Sequence, residues 1–140
     1  MLIENSMIIN DGQPKYCVDR AMHILNKHKK AINGAKILVC GVAYKQDIDD
    51  YRESSAIQVI EELKKVNAIV DYYDPYISEY RKNGDFIKGI KLISPEVISV
   101  YDLVIITTAH TNVDYKMITD NAQAVFDTKN IRNVGNVERL

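Results

Sequence analysis

Short, almost wholly apolar runs alternate along this chain with longer stretches in which apolar residues recur every third or fourth position. The first such stretch carries Val18, Met22 and Leu25 at helical spacing. It predicts a helix over about 13–29, capped at Asp11 or Gly12, with Pro14 in the first turn where a proline costs little. Asn33-Gly34 then turns the chain into an apolar run, 36–42, that reads as a strand buried on both faces. A charged turn leads to a second helical pattern, capped by Ser54 and running to about residue 66. Its stripe is Ile57, Ile60 and Leu63, widened by Ala56 and Val59.

A second strand is expected over 69–73, closed by Asp74-Pro75, and a loop-rich segment comes after it. A short strand is expected over 90–93, and Ser94-Pro95-Glu96 opens a short helix. A third clear strand covers 103–107, a helix 115–121, and a last strand 124–126. Apolar strands alternating with helices predict an α/β fold: a doubly wound, Rossmann-like, mostly parallel sheet with helices on both faces, preceded by an N-terminal helix.

Bulk properties narrow the classes of function. The 140 residues are 46% hydrophobic and 26% charged, as in an ordinary globular domain. A net charge of −1 offers no field to nucleic acid or an anionic membrane, so neither partner is expected. No apolar run approaches the roughly 18 residues of a membrane span, and no signal-peptide pattern opens the sequence. Cys17 and Cys40 lack CxxC spacing and His23, His28 and His110 do not cluster, so the expectation is a cytoplasmic protein without a metal site. The run Lys27-His28-Lys29-Lys30 reads as a solvated helix end suited to the helix dipole.

Polar residues fall in one revealing place. Tyr44 and Lys45 come after the first strand, Asp74 and Pro75 after the second, Thr107, Thr108 and His110 after the third, and Asp127, Lys129 and Asn130 after the last. In a parallel sheet these positions share the carboxyl edge, where open α/β sheets bind ligands. Lys45, Arg52 and Lys129 supply positive charge there, and the helix after Ser54 offers free amides, so an anionic ligand is expected. Each residue also has a plainer reading. Arg52 can pair with Asp49 or Asp50, Tyr44 can pack at a loop root, and Asp47, Asp49 and Asp50 can be solvated rather than hold a metal. His110 is either a base or a hydrogen-bonded loop histidine. Gly41 stands alone, so the G-x-G-x-x-G dinucleotide fingerprint is missing. No catalytic constellation is visible; both cysteines sit in expected helix or strand, where thiols are inert.

These residues resemble a known pattern. Gly41-Val42-Ala43-Tyr44-Lys45, then Asp50-Tyr51-Arg52-Glu53-Ser54-Ser55-Ala56, is similar to the C-terminal domain of the UDP-glucose/GDP-mannose dehydrogenase family. So is Val70-Asp71-Tyr72-Tyr73-Asp74-Pro75-Tyr76, and 10–14 resembles the end of that family's central helical segment. Thr107-Thr108-Ala109-His110, Asp114-Tyr115 and Asp127-Thr128-Lys129-Asn130 resemble the branch acting on UDP-N-acetylhexosamines.

The resemblance implies a UDP-sugar-binding domain of an NAD-dependent enzyme that oxidises a sugar C6 hydroxyl to a carboxylate. It implies that Tyr44 and Lys45 contact the UDP-sugar and that Arg52 reaches NAD held mainly by another domain. Lys129 stands where the family has a substrate-binding arginine, which removes a bidentate fork. It further implies that 1–32 ends a dimerisation helix segment and 33–140 binds the UDP-sugar. Neither Cys17 nor Cys40 matches the family's catalytic cysteine. The chain is therefore expected to be a C-terminal piece, inactive alone, with no catalytic residue of its own. Two other readings stand beside this one. One is a non-catalytic assembly module with Tyr16, Met22 and Leu25 on a partner-seeking helix face. The other is a phospho-receiver-like domain built on Asp49, Asp50, Asp74, Thr107 and Lys129.

Overall fold

The computed structural model describes residues 13–43, 47, 51, 54–129 and 138–139. Helix α1 spans Gln13–Lys27 and strand β1 Lys36–Cys40. Helix α2 spans Ser55–Lys65 and strand β2 Ile69–Tyr73. Strands β3, Glu79–Lys82, and β4, Asp85–Lys88, form an antiparallel hairpin. Helix α3, Pro95–Ser99, precedes β5, Leu103–Ile106; helix α4, Tyr115–Asn121, precedes β6, Val125–Asp127, and β7 is Glu138–Arg139. The main sheet runs β2-β1-β5-β6-β7 and every pairing in it is parallel. The chain order reverses between β1 and β5, which makes that gap the topological switch point.

The period of two along β1 divides the interior into separate layers. Ile37 and Val39 join Leu103, Ile105 and Phe126 under α1 and α2. Leu38 and Cys40 join Val104, Ile106 and Val125 under α3 and α4. With all of these residues at most 2% exposed, the doubly wound reading holds, helices covering both faces.

Local chemistry explains where the elements stop. Ser54 accepts from the Ala56 amide at 3.2 Å and caps α2, a bond whose loss costs about 0.5–2 kcal/mol in comparable helices. Helix α1 stops two residues before the expected end, because Lys29 adopts a left-handed φ of 61°. The Lys30 amide then donates to Leu25 O and the Lys29 amide to Asn26 O, the bonding of a Schellman stop. Asn67, with φ of 69°, ends α2 in the same way through Ala68 N to Leu63 O.

The structure departs from the sequence-based expectations in several places. No strand forms over 90–93; Ile90 donates one bond to Tyr72 O at the outer edge of β2 and the chain turns away. The loop-rich segment instead contains the β3–β4 hairpin, closed by Asn83 and Gly84 at φ of 52° and 86°. Positive φ at both positions matches the twist of the flanking strands, which is why Asn-Gly favours two-residue hairpin turns. Lys30 is not a solvated helix end, since its Nζ bonds Asp102 Oδ1 at 2.7 Å and also Gln123 Oε1. Leu25 is fully buried within the chain's own core and offers nothing to a partner, whereas Tyr16 and Met22 are exposed.

Candidate functional site

The parallel sheet delivers the ends of β1, β2, β5 and β6 to one edge, as their polar residues suggest. The backbone at the switch point is drawn very close. Gly41 has φ of +95°, and a Cβ built on it would lie 2.5 Å from Thr108 O and 2.6 Å from Thr108 Cβ. Only glycine fits that approach. The Thr107 hydroxyl donates to Cys40 O and Gly41 O, and the Thr108 hydroxyl to Ala43 O at 2.8 Å. The ends of β1 and β5 are thereby fastened to one another by side chains as well as by the sheet.

Asp74 is the centre of the edge. Its Oδ2 accepts from Val42 N at 2.8 Å, from Ala43 N at 3.1 Å and lies 2.9 Å from His110 Nε2. Its Oδ1 accepts from Tyr76 N at 2.8 Å. Burial by itself would push this carboxyl up, but the hydrogen bonds from His110, Tyr76 and Val42 outweigh it and hold Asp74 below the usual carboxylate value. His110 is 1% exposed, meets the Tyr76 ring in a tilted contact with centroids 4.8 Å apart, and accepts the Asp47 amide on Nδ1 at 2.7 Å. Asp47 sits at a left-handed φ of 60° and its carboxylate takes bonds from the Thr111 amide and hydroxyl. Asp tolerates that backbone better than most residues.

This arrangement answers which groups the edge can hold. The amides that come after β1 already serve Asp74, and α2 begins only at Ser55. Among the described residues, the Val42 and Ala43 amides are thus taken up by Asp74 and not free to cradle a dinucleotide pyrophosphate. The Asp74 side chain is fully buried, which closes it to a phosphoryl donor and counts against the receiver-like reading. Among the described residues no cluster of His, Cys, Asp or Glu is placed to hold a metal ion, and no helix is long and apolar enough to cross a membrane.

Of the sequence-predicted site residues, Tyr44, Lys45 and Arg52 lie outside the described residues, as do Asp49 and Asp50. Lys129 is exposed on the edge, its amide bonded to Asp127 Oδ1 at 2.7 Å. It shares a narrow groove with Ser55, Thr107, Thr128, Pro14 and Cys17, so the lysine and the start of α2 face one space. A larger cleft of about 450 Å³ opens beside the end of β2, between Asp74, Glu79, Lys88 and Lys91. Asp74 itself reads in the sequence as a strand-ending turn. Its larger role rests on amides 31 and 32 residues away, which no local signal announces.

Comparison with known proteins identifies the domain that carries this edge. Residues 38–134 match the UDP binding domain of the UDP-glucose/GDP-mannose dehydrogenase family. A UDP-N-acetyl-D-glucosamine 6-dehydrogenase of Pseudomonas aeruginosa is 26% identical over 132 residues, covering 94% of this chain and 28% of that protein. A UDP-N-acetyl-D-mannosamine dehydrogenase of Methanocaldococcus jannaschii is 31% identical, covering 94% of this chain and 30% of that protein. The structure of a UDP-D-ManNAc dehydrogenase from Pyrococcus horikoshii superposes with a TM-score of 0.72 at 25% identity, covering 93% of this chain and 31% of that one. The chain thus spans about three-tenths of the length of these relatives.

Proposed function

The chain belongs to the UDP-glucose/GDP-mannose dehydrogenase family through its UDP binding domain, and from that premise we propose that it holds the UDP moiety of a UDP-N-acetylhexosamine at the carboxyl edge of the sheet. The observation that carries this reading is that one family match runs continuously from β1, through the charged turn, to Lys129. Lys45 meets the diphosphate as a compact point charge, and Tyr44 lies against the nucleotide sugar. Lys129, exposed on the same edge, contacts the substrate. Arg52 reaches toward NAD bound mainly by a separate domain. The whole protein then oxidises the C6 hydroxyl of the sugar to a carboxylate, with this chain supplying the grip on the substrate. Residues 1–32 close the helical segment through which a homodimer assembles, 33–140 form the UDP-sugar-binding unit, and the protein works in the cytoplasm.

Calorimetric titration of UDP and UDP-N-acetylglucosamine into the chain, beside a Lys45→Ala variant, tests the reading. Binding that weakens at least about tenfold in the variant is expected for loss of one charged hydrogen-bond donor to phosphate. Equal affinity in both proteins would remove Lys45 and the charged turn from the site.

A further inference from the structure

The imidazole of His110 ties the turn after β1 to the end of β2. Its partners dictate its proton. The Asp47 amide is a donor and must meet an unprotonated Nδ1, so the hydrogen of the neutral ring sits on Nε2 and is donated to Asp74 Oδ2. The same Asp74 oxygen takes the Val42 and Ala43 amides. One imidazole–carboxylate pair thus grips the chain at Ala43 and again at Asp47, on either side of residues 44–46. The Asp47 carboxylate turns the other way, to the amide and hydroxyl of Thr111 on the His110 side.

We propose that His110 is a positioning residue for nucleotide-sugar binding, and that it acts only as the neutral Nε2–H tautomer. The proposal rests on the reading of the edge as the UDP site. A second proton would land on Nδ1, facing the Asp47 amide, and the backbone bond that holds the turn would be lost. Asp74 lies 2.9 Å from Nε2, the Asp47 carboxylate 3.9 Å from Nδ1, the Tyr76 ring lies tilted beside the imidazole, and the Tyr115 hydroxyl on α4 bonds the Thr108 carbonyl. A ring that cannot accept at Nδ1 is expected to weaken binding by releasing the Asp47 amide.

Two measurements on the 140-residue chain decide it. Two-bond ¹H–¹⁵N correlation at the histidine ring reads the tautomer in the unaltered protein at neutral pH; Nε2–H is expected, and an Nδ1–H or doubly protonated ring would overturn the proposal. Exchange of the Asp47 amide with solvent, compared between wild type and His110→Gln, reads the grip itself. Exchange faster in the variant by threefold to tenfold, roughly the worth of one neutral hydrogen bond, is expected, and equal exchange would overturn it. Affinity for UDP-N-acetylglucosamine is then compared between wild type and His110→Gln at about pH 7. Binding weakened about threefold to tenfold in the variant is expected, and equal affinity would overturn the positioning role. Absence of binding by the wild type would instead refute the UDP reading, while tautomer and amide exchange still decide the grip.

Discussion

Replacing Asp74 by asparagine removes a charge and almost no volume, so its effect can be worked from hydrogen bonds alone. In the wild type Oδ2 serves Val42 N, Ala43 N and His110, and Oδ1 serves Tyr76 N. A carboxamide keeps a single oxygen, and its NH₂ must turn toward a donor. If the oxygen stays with Val42 and Ala43, the NH₂ confronts the Tyr76 amide, which lies near the surface and can take water. The reverse flip strands two buried amides and is worse. Orphaning one donor costs about 1–3 kcal/mol, and the surviving bonds lose their charge assistance, so we expect a loss of about 2–4 kcal/mol. Against a total of about 5–15 kcal/mol this is large, and it should lower the urea midpoint by about 1–2 M at unchanged slope.

The pH dependence has a definite sign. Because the folded carboxyl is held below its unfolded value, its contribution is complete above about pH 4 and is lost as pH falls through the folded value. The gap between wild type and Asp74→Asn should therefore stay constant from pH 5 to pH 8 and close in more acid solution. Urea melts of both proteins across that range measure it. A loss below about 1 kcal/mol at pH 7, or a gap that persists in acid, would refute the assignment of Asp74 as the edge's central acceptor.

The other predictions test the close approach at the switch point and the thiols. Gly41→Ala should cost about 2–5 kcal/mol in thermal or urea melts, because strain at positive φ adds to a backbone clash. Gly34→Ala, with φ of +85° and nothing within 4 Å of the new Cβ, should cost only the strain of about 1–2 kcal/mol, and equal losses would count against the clash. Burial pushes Cys40 up to about 12, with Asp74 adding to it, and burial pushes Cys17 up to about 11 against the opposing pull of Lys129 and Arg20. Iodoacetamide at pH 8 should therefore label neither in the native state and both in urea, as mass spectrometry would read; rapid native labelling of Cys40 would contradict its place in the sheet.

Much of this fold is legible because its signals are local. Apolar runs without alternation announce strands covered on both faces, as 36–40 and 103–106 prove to be. Ser54, Ser94 and Asp114 announce helix starts, since a cap acts within a few residues of itself. Asn83-Gly84 was equally legible as a hairpin turn, but the charged, weakly alternating strands around it carry little hydrophobic pattern. The early stop of α1 was harder to see, for it depends on Lys29 taking a left-handed conformation that lysine seldom favours.

The candidate site divides along the same line. Sequence order and the parallel rule bring Asp74, Thr107, Thr108, His110 and Lys129 to one edge, because every strand of such a sheet ends on the same side. That edge could be read from residue types alone. The pairing of Asp74 with His110 could not: those residues lie 36 positions apart, and whether a carboxylate after a strand faces solvent or four donors depends on where neighbouring backbone ends. The glycine at 41 likewise has no visible reason until β5 packs against it. Periodicity and capping act over a turn or two of chain and are written in the sequence. The proton on His110 and the bonds of Asp74 to the Val42 and Ala43 amides are set by contacts between distant segments, which exist only once the sheet has formed.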